Sequence, residues 1–259
     1  MQGQVNVSVA NLYSEGTYQS ETISQVLLGE MLDILETDGE FSLVQASDGY
    51  SGWMSNYQLL PWSKVEGEKV LVRNHFSTIL SKPDKDSICL RDTVLGTWLN
   101  KVDENEDWLQ VILPDGAKGW IRKDHTGSLV DKIRDNVVDI ANEFLGYPYL
   151  WGGKTPKGFD CSGLVQMVLL LTGTHVRRDS WMQHHDAKVV GEDLAMAKPG
   201  DLLFFAEIKA KISHVGIVVG NSKILHARGL VRINSLIPKD KLFDQHLQDT
   251  FVDVRTCFD

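Results

Sequence analysis

The stretch Asp160-Cys161-Ser162-Gly163 sets a cysteine between a good helix-capping residue and the apolar run L-V-Q-M-V-L-L-L. Asp is a favoured N-cap, so the spacing predicts a helix that begins at Cys161. The sulfur would then lie among unpaired N–H groups at the positive end of that helix, which favours thiolate over thiol. A nucleophile needs this placement and also a base. Of eight histidines, His214 opens H-V-G-I-V-V-G and His226 lies in K-I-L-H-A-R-G, with Gly220-Asn221-Ser222 between the two runs. A three-residue hairpin loop would set both rings on one face of a β-ribbon, close enough to hydrogen-bond. His214 could then act as base for Cys161 while His226 orients it through the other ring nitrogen. Either histidine alone reads as a structural residue. It is the combination with Cys161 that points to covalent catalysis.

The rival centre is His184-His185-Asp186. Adjacent residues on a helix diverge by about 100° and seldom share a metal, and no H-x-x-H or H-x-x-x-H partner reinforces them. They read as surface polar residues, and no metal or organic cofactor is expected. Cys89 and Cys257 complete an odd, widely spaced set of three cysteines, which excludes a disulfide framework and shows no zinc-finger spacing. Both read as small buried hydrophobes.

The chemistry must be held by a chain of 259 residues with 42% apolar and 24% charged residues, ordinary for a globular protein. A net charge of -9 argues against nucleic acid as a partner and favours a small ligand. No run of 18 apolar residues appears, so no membrane span is expected. The start, M-Q-G-Q-V-N-V-S-V-A, lacks a basic and apolar leader. As written the chain is expected in the cytoplasm, with periplasm or cell envelope as the alternative if a leader has been removed, and as a monomer.

Two kinds of element stand around these residues. In the first half, residues 27–54 lie over 94–121 without a gap, L-L-G-E-M-L on V-L-G-T-W-L and S-D-G-Y-S-G-W-M on P-D-G-A-K-G-W-I. Short apolar stretches parted by D-G turns mark a small all-β module, here in two copies. The copies differ at Tyr50, which faces Ala117, and at Glu21, which faces Ile88. From about residue 129, Ile133, Val137, Ile140, Ala141 and Phe144 recur at helical spacing up to Gly146. After the cysteine loop and an apolar helix, D-L-L-F-F, H-V-G-I-V-V-G and K-I-L-H-A read as strands, the order of an α+β domain.

The repeats resemble bacterial SH3-like domains, whose G-x-x-L and D-G-x-x-G-W patterns they carry. The second half resembles the NlpC family of papain-like cell-wall cysteine peptidases: Y-L-W-G-G, D-C-S-G, K-P-G-D-L-L-F-F, S-H-V-G-I-V and I-L-H-A occur in that order. The resemblance implies a multidomain protein. Two all-β SH3-like barrels, residues 1–61 and 62–128, would be followed by an α+β papain-like catalytic domain, residues 129–259. With tandem SH3-like domains upstream, it is similar to the subgroup that cleaves γ-D-glutamyl–diamino acid bonds in murein peptides. Cys161 is then the nucleophile, His214 the base, His226 the orienting group, and Tyr149 an oxyanion neighbour. Asp160, Ser162 and Trp151 would contact substrate. Asp179 and Ser180, joined by Glu21 and Tyr50 from the first barrel, would hold the free amine of an N-terminal L-Ala. The murein tripeptide, or a longer stem peptide, is the implied partner. A non-catalytic wall-peptide binder, and a papain-like acyltransferase or amidase, are the alternatives.

Overall fold

The computed structural model describes residues 1–208 and 211–258 and divides into two units, Met1–Leu129 and Val130–Asp259. The first unit begins with β1 (Gln2–Val5), β2 (Val9–Tyr13), β3 (Thr22–Leu27), β4 (Met31–Asp38), β5 (Phe41–Gln45), β6 (Ser51–Ser55) and β7 (Leu59–Pro61). It continues with β8 (Glu68–Val72), β9 (Phe76–Leu80), β10 (Cys89–Val94), β11 (Trp98–Glu104), β12 (Trp108–Ile112), β13 (Lys118–Arg122) and β14 (Thr126–Gly127). These make two sheets with the same order, β3-β2-β6-β5-β4-β1-β7 and β10-β9-β13-β12-β11-β8-β14.

The repeat runs well beyond the stretch legible in the sequence. Thr22 and Cys89, Phe41 and Trp108, and Ser51 and Lys118 open corresponding strands at one constant spacing. Even the contact that joins the β2–β3 pair to β6 recurs between β9 and β13, Tyr13 opposite Trp53 and Leu80 opposite Trp120. The D-G turns agree as well. Gly49 and Gly116 both sit at positive φ, 80° and 82°, and an aspartate oxygen accepts from the backbone two residues on. Alternation along each strand supplies the cores: Ala10, Leu12, Val44 and Met54 fill the first, and Ile79, Leu109, Val111 and Ile121 the second. Leu28 of the first copy joins the second core. Cys89 corrects the sequence reading, because it begins the edge strand β10 and is exposed. Cys257 is only partly buried.

The second unit contains α1 (Arg134–Glu143), a short pair β15 (Lys154–Thr155) and β16 (Gly158–Phe159), then α2 (Cys161–Leu170) and α3 (Ser180–Asp186). There follow β17 (Lys188–Gly191), β18 (Leu202–Phe205), β19 (His214–Gly220), β20 (Lys223–Arg228), β21 (Leu230–Ser235), α4 (Gln245–Thr250) and β22 (Phe251–Thr256). The described strands of its main sheet run β17-β22-β18-β19-β20-β21, each pair antiparallel. Helix α2 is buried from Cys161 through Leu169 and packs on β19 and β20, which explains a sequence apolar on almost every side. No described helix is long and apolar enough to cross a membrane.

Candidate active site

Helix α2 starts where the sequence predicts, and Asp160 caps it by accepting from the Gly163 N–H at 2.7 Å. The same carboxylate accepts from the Gly152 N–H at 3.0 Å and the Ser162 hydroxyl at 3.2 Å. It also takes both arms of Arg178, at 3.0 and 2.5 Å. Arg178 is 1% exposed and donates further to Ser162 Oγ at 2.9 Å. Asp160 and Ser162, assigned to substrate by resemblance, thus have their side chains committed inward. These bonds fix the start of α2. Arg178 is the residue that sequence reasoning passed over, since nothing local shows that a chain returns eighteen positions later to pair with the cap. The helix also presses flat on the glycine loop: a Cβ on Gly163 would lie 2.1 Å from the Gly153 carbonyl oxygen. That contact accounts for the glycine in D-C-S-G; the second glycine of W-G-G answers to a different approach, since a Cβ there would lie 2.3 Å from the Gly158 carbonyl oxygen.

Cys161 is 8% exposed, and its sulfur accepts hydrogen bonds from the backbone N–H groups of Val215 and Ser162. Val215 follows His214 at the start of β19, so packing of α2 on the sheet brings Cys161 to the end of the strand that His214 opens. Burial, helped by the Asp160 charge, pushes the thiol up to about 12, against the opposing pull of those N–H groups and Arg178. This overturns the expectation of a resting thiolate. The helix start is real, but desolvation outweighs it. Burial likewise carries His214 down to about 3, with His226, Arg228, His246 and Arg232 adding to the shift. Burial thus favours the neutral form of both groups, thiol and imidazole.

His226 is fully buried, and its Nδ1 lies 2.8 Å from His214 Nε2. The two rings meet edge to face, with centroids 5.0 Å apart. The hairpin achieves this differently from the sequence reading. Its loop has two residues, Asn221 and Ser222, both at positive φ (52° and 55°), as a type I′ turn requires. A bulge between Val218 and Gly220 adds the extra residue that restores the parity. Carried one step beyond Ile217–Leu225, the register sets Gly216 opposite His226, and a Cβ on Gly216 would meet the His226 Cβ at 3.0 Å. Burial holds His226 down at about 4, opposed by its hydrogen bond to Asn234, whose Oδ1 is 3.0 Å from His226 Nε2. Asn234 was not singled out in the sequence; a register pair from a third strand was needed to bring it in.

Tyr149 is anchored by its N–H to the Gly229 carbonyl, at 3.0 Å. Burial first, then the neighbouring acidic groups of Cys161 and Asp160, push its hydroxyl well above the ordinary value, which keeps it protonated and able to donate. Trp151 stands exposed in the same loop. Asp179 precedes α3 and is half-buried, and Ser180 is buried as its first residue. Glu21, exposed, and Tyr50, half-buried at a D-G turn, belong to the first unit. His184 corrects another expectation. It is largely buried, bonded to Asp253 at 3.0 and 3.1 Å and edge-on to Phe204. His185 stays exposed, and no metal-ligating cluster occurs among the described residues.

A cysteine at a capped helix start, against a strand carrying a histidine chain, is the geometry of a cysteine peptidase, and comparison with known proteins agrees. Residues 146–255 match the NlpC/P60 family and residues 12–59 the bacterial dipeptidyl-peptidase SH3 domain. The second unit belongs to the NlpC/P60 cysteine peptidases, preceded by a bacterial dipeptidyl-peptidase SH3 domain. The chain is similar to dipeptidyl-peptidase 6 of Lysinibacillus sphaericus, 29% identical over the whole of both chains. It is 29% identical to the gamma-D-glutamyl-L-lysine dipeptidyl-peptidase of Bacillus subtilis strain 168, covering 91% of this chain and 81% of that one. Its fold is similar to the crystal structure of an NlpC/P60 family protein from Bacillus cereus ATCC 10987. The TM-score is 0.84, at 23% identity, over 98% and 99% of the two chains.

Proposed function

We propose that this protein is a cysteine endopeptidase that hydrolyses the γ-D-glutamyl–diamino acid bond of murein peptides and releases L-Ala-γ-D-Glu. The observation that carries this reading is the sulfur of Cys161 at the start of α2, bonded to the backbone beside His214, which is itself bonded to His226. Cys161 attacks the γ-carbonyl as its proton passes to His214. The Tyr149 hydroxyl and the Cys161 N–H donate to the developing oxyanion. Imidazolium His214 then protonates the departing amine, and the same ring, neutral again, takes a proton from the water that cleaves the thioester.

The same strand order in both sheets and their constant spacing support reading residues 1–61 and 62–128 as two SH3-like barrels, with residues 129–259 as an α+β papain-like domain. Specificity is assigned to Asp179, Ser180 and Trp151, and the first barrel's candidates for binding substrate are Glu21 and Tyr50. Carboxylates suit a free α-ammonium, because a buried charge without a counterion costs several kcal/mol. A substrate with a free L-Ala amine has already been cut from its glycan, so the reading places the enzyme in recycling of released wall peptides.

The test is turnover of L-Ala-γ-D-Glu-diamino acid beside its N-acetyl form and intact murein. Rapid cleavage of the free peptide alone, with the acetylated form slower by about 10²-fold or more, supports the proposal. No release of L-Ala-γ-D-Glu from the free peptide overturns the reaction, and equal rates on all three overturn recognition of the free amine.

A further inference from the structure

The histidine pair does not by itself decide which nitrogen carries which proton, and only one arrangement leaves His214 able to act as a base. Nε2 of His214 faces Nδ1 of His226, so one of these atoms must donate. If His226 donates, the lone pair of neutral His214 lies at Nε2, turned toward His226. If His214 donates, its lone pair is at Nδ1, the nitrogen that does not face His226. Asn234 settles the choice. Its Nδ2 donates to the Leu242 carbonyl at 3.2 Å, and a carbonyl can only accept, so Oδ1 must be the atom 3.0 Å from His226 Nε2. An amide oxygen also only accepts, so the His226 proton is on Nε2 and its Nδ1 is a lone pair. His214 therefore donates from Nε2.

We infer that Asn234 is a positioning residue which, held by the Leu242 carbonyl, sets the tautomer of His226 and through it the tautomer in which His214 presents a basic Nδ1. The orientation is anchored at its far end as well. The Leu242 carbonyl also accepts from the Ser235 N–H at 2.8 Å, and the Asp244 N–H returns to the Ser235 carbonyl at 3.0 Å. The segment between β21 and α4 thereby acts on the base through three side-chain contacts in series. This inference rests on the proposed reaction, but the protonation pattern can be read without it.

Long-range ¹H–¹⁵N spectra of the imidazoles in the resting wild-type protein are expected to show His214 and His226 both protonated at Nε2. A proton on Nδ1 of either ring would overturn the inference, whatever the protein is found to hydrolyse. Asn234→Leu, similar in volume but unable to accept, is expected to mix the His226 tautomers and lower kcat about 10²-fold, with KM within about twofold. Wild-type kcat, or a lowered kcat with both rings still protonated at Nε2, would overturn the tautomer role.

Asn234→Asp gives a different signature. A carboxylate keeps the acceptor but favours imidazolium at His226, whose Nδ1–H could no longer accept from His214. The charged and titratable groups around the pair are Cys161 on α2, Arg228 on β20, Arg232 on β21, Asp244 and His246 beyond it, and His214 itself on β19. None of these changes in the variant. The acid limb of kcat/KM should therefore move up by about one pH unit or more, with activity recovering above it. An unmoved limb counts against the inference. Absence of any peptide hydrolysis by the wild type would refute the proposed function, while the ring spectra would still decide the role of Asn234.

Discussion

Burial sets the state of every group in the proposed reaction. His214, at about 3, and His226, at about 4, fold as neutral rings although 6.5 is ordinary. As pH falls the unfolded chain takes up those protons first. Their contribution to stability is thus complete above about 6.5 and is lost as pH drops through the folded values. Cys161 works in the other direction: raised from 9.0 to about 12, its contribution is complete below the ordinary value and is lost as pH climbs. The second unit should be most stable between about pH 6.5 and 9. Thermal unfolding followed from pH 7 to 4 should show Tm falling for the wild type and falling less for His226→Gln; equal acid slopes would contradict a buried neutral imidazole. D-C-S-G reveals the location of the nucleophile, because capping is local. Its ionisation could not be read there, because the burial that raises the thiol comes from packing of segments distant in sequence.

The elements matter here mainly through their junctions. The start of α2 is tied by Asp160 and Arg178, whose side chains are 11% and 1% exposed. Removing one partner strands a buried charge, so Arg178→Met should destabilise the protein by about 3–5 kcal/mol in denaturant unfolding. A loss under about 1 kcal/mol would show that water reaches the pair. Gly163→Ala must displace the Gly153 backbone, and is expected to lower kcat more than it lowers Tm, as the sulfur shifts with the helix. An unchanged kcat would mean that the loop yields freely. The helix and three of the sheet's strands could be read from apolar runs. β17, β21 and β22 were not singled out, since K-V-V-G is short and V-R-I-N and V-D-V-R alternate over only four residues each. The hairpin was read with a three-residue loop, because a bulge at one residue leaves no mark on composition.

At the scale of the whole chain, the repeat was the most legible feature, and the strands extend it, opening at one spacing from the second to the last pair. The copies differ more than Glu21 and Tyr50 suggest. Tyr13, Tyr18 and Phe41 of the first form an aromatic cluster, with Tyr18 bonded to Ser55 at 2.8 Å. Leu80, Lys85 and Trp108 stand at the corresponding positions of the second. If the first barrel contributes to amine recognition, Glu21→Gln in the full chain should raise KM for the free tripeptide and narrow its advantage over the acetylated form. Kinetics identical to wild type would release Glu21 from that role.

The most direct measurement is mass spectrometry of enzyme quenched during turnover of L-Ala-γ-D-Glu-diamino acid, followed by peptide mapping. The covalent route requires an L-Ala-γ-D-Glu acyl group on the peptide that contains Cys161, with neither adduct nor product from Cys161→Ala. Undiminished product release by Cys161→Ala, or an adduct on any other residue, would contradict it.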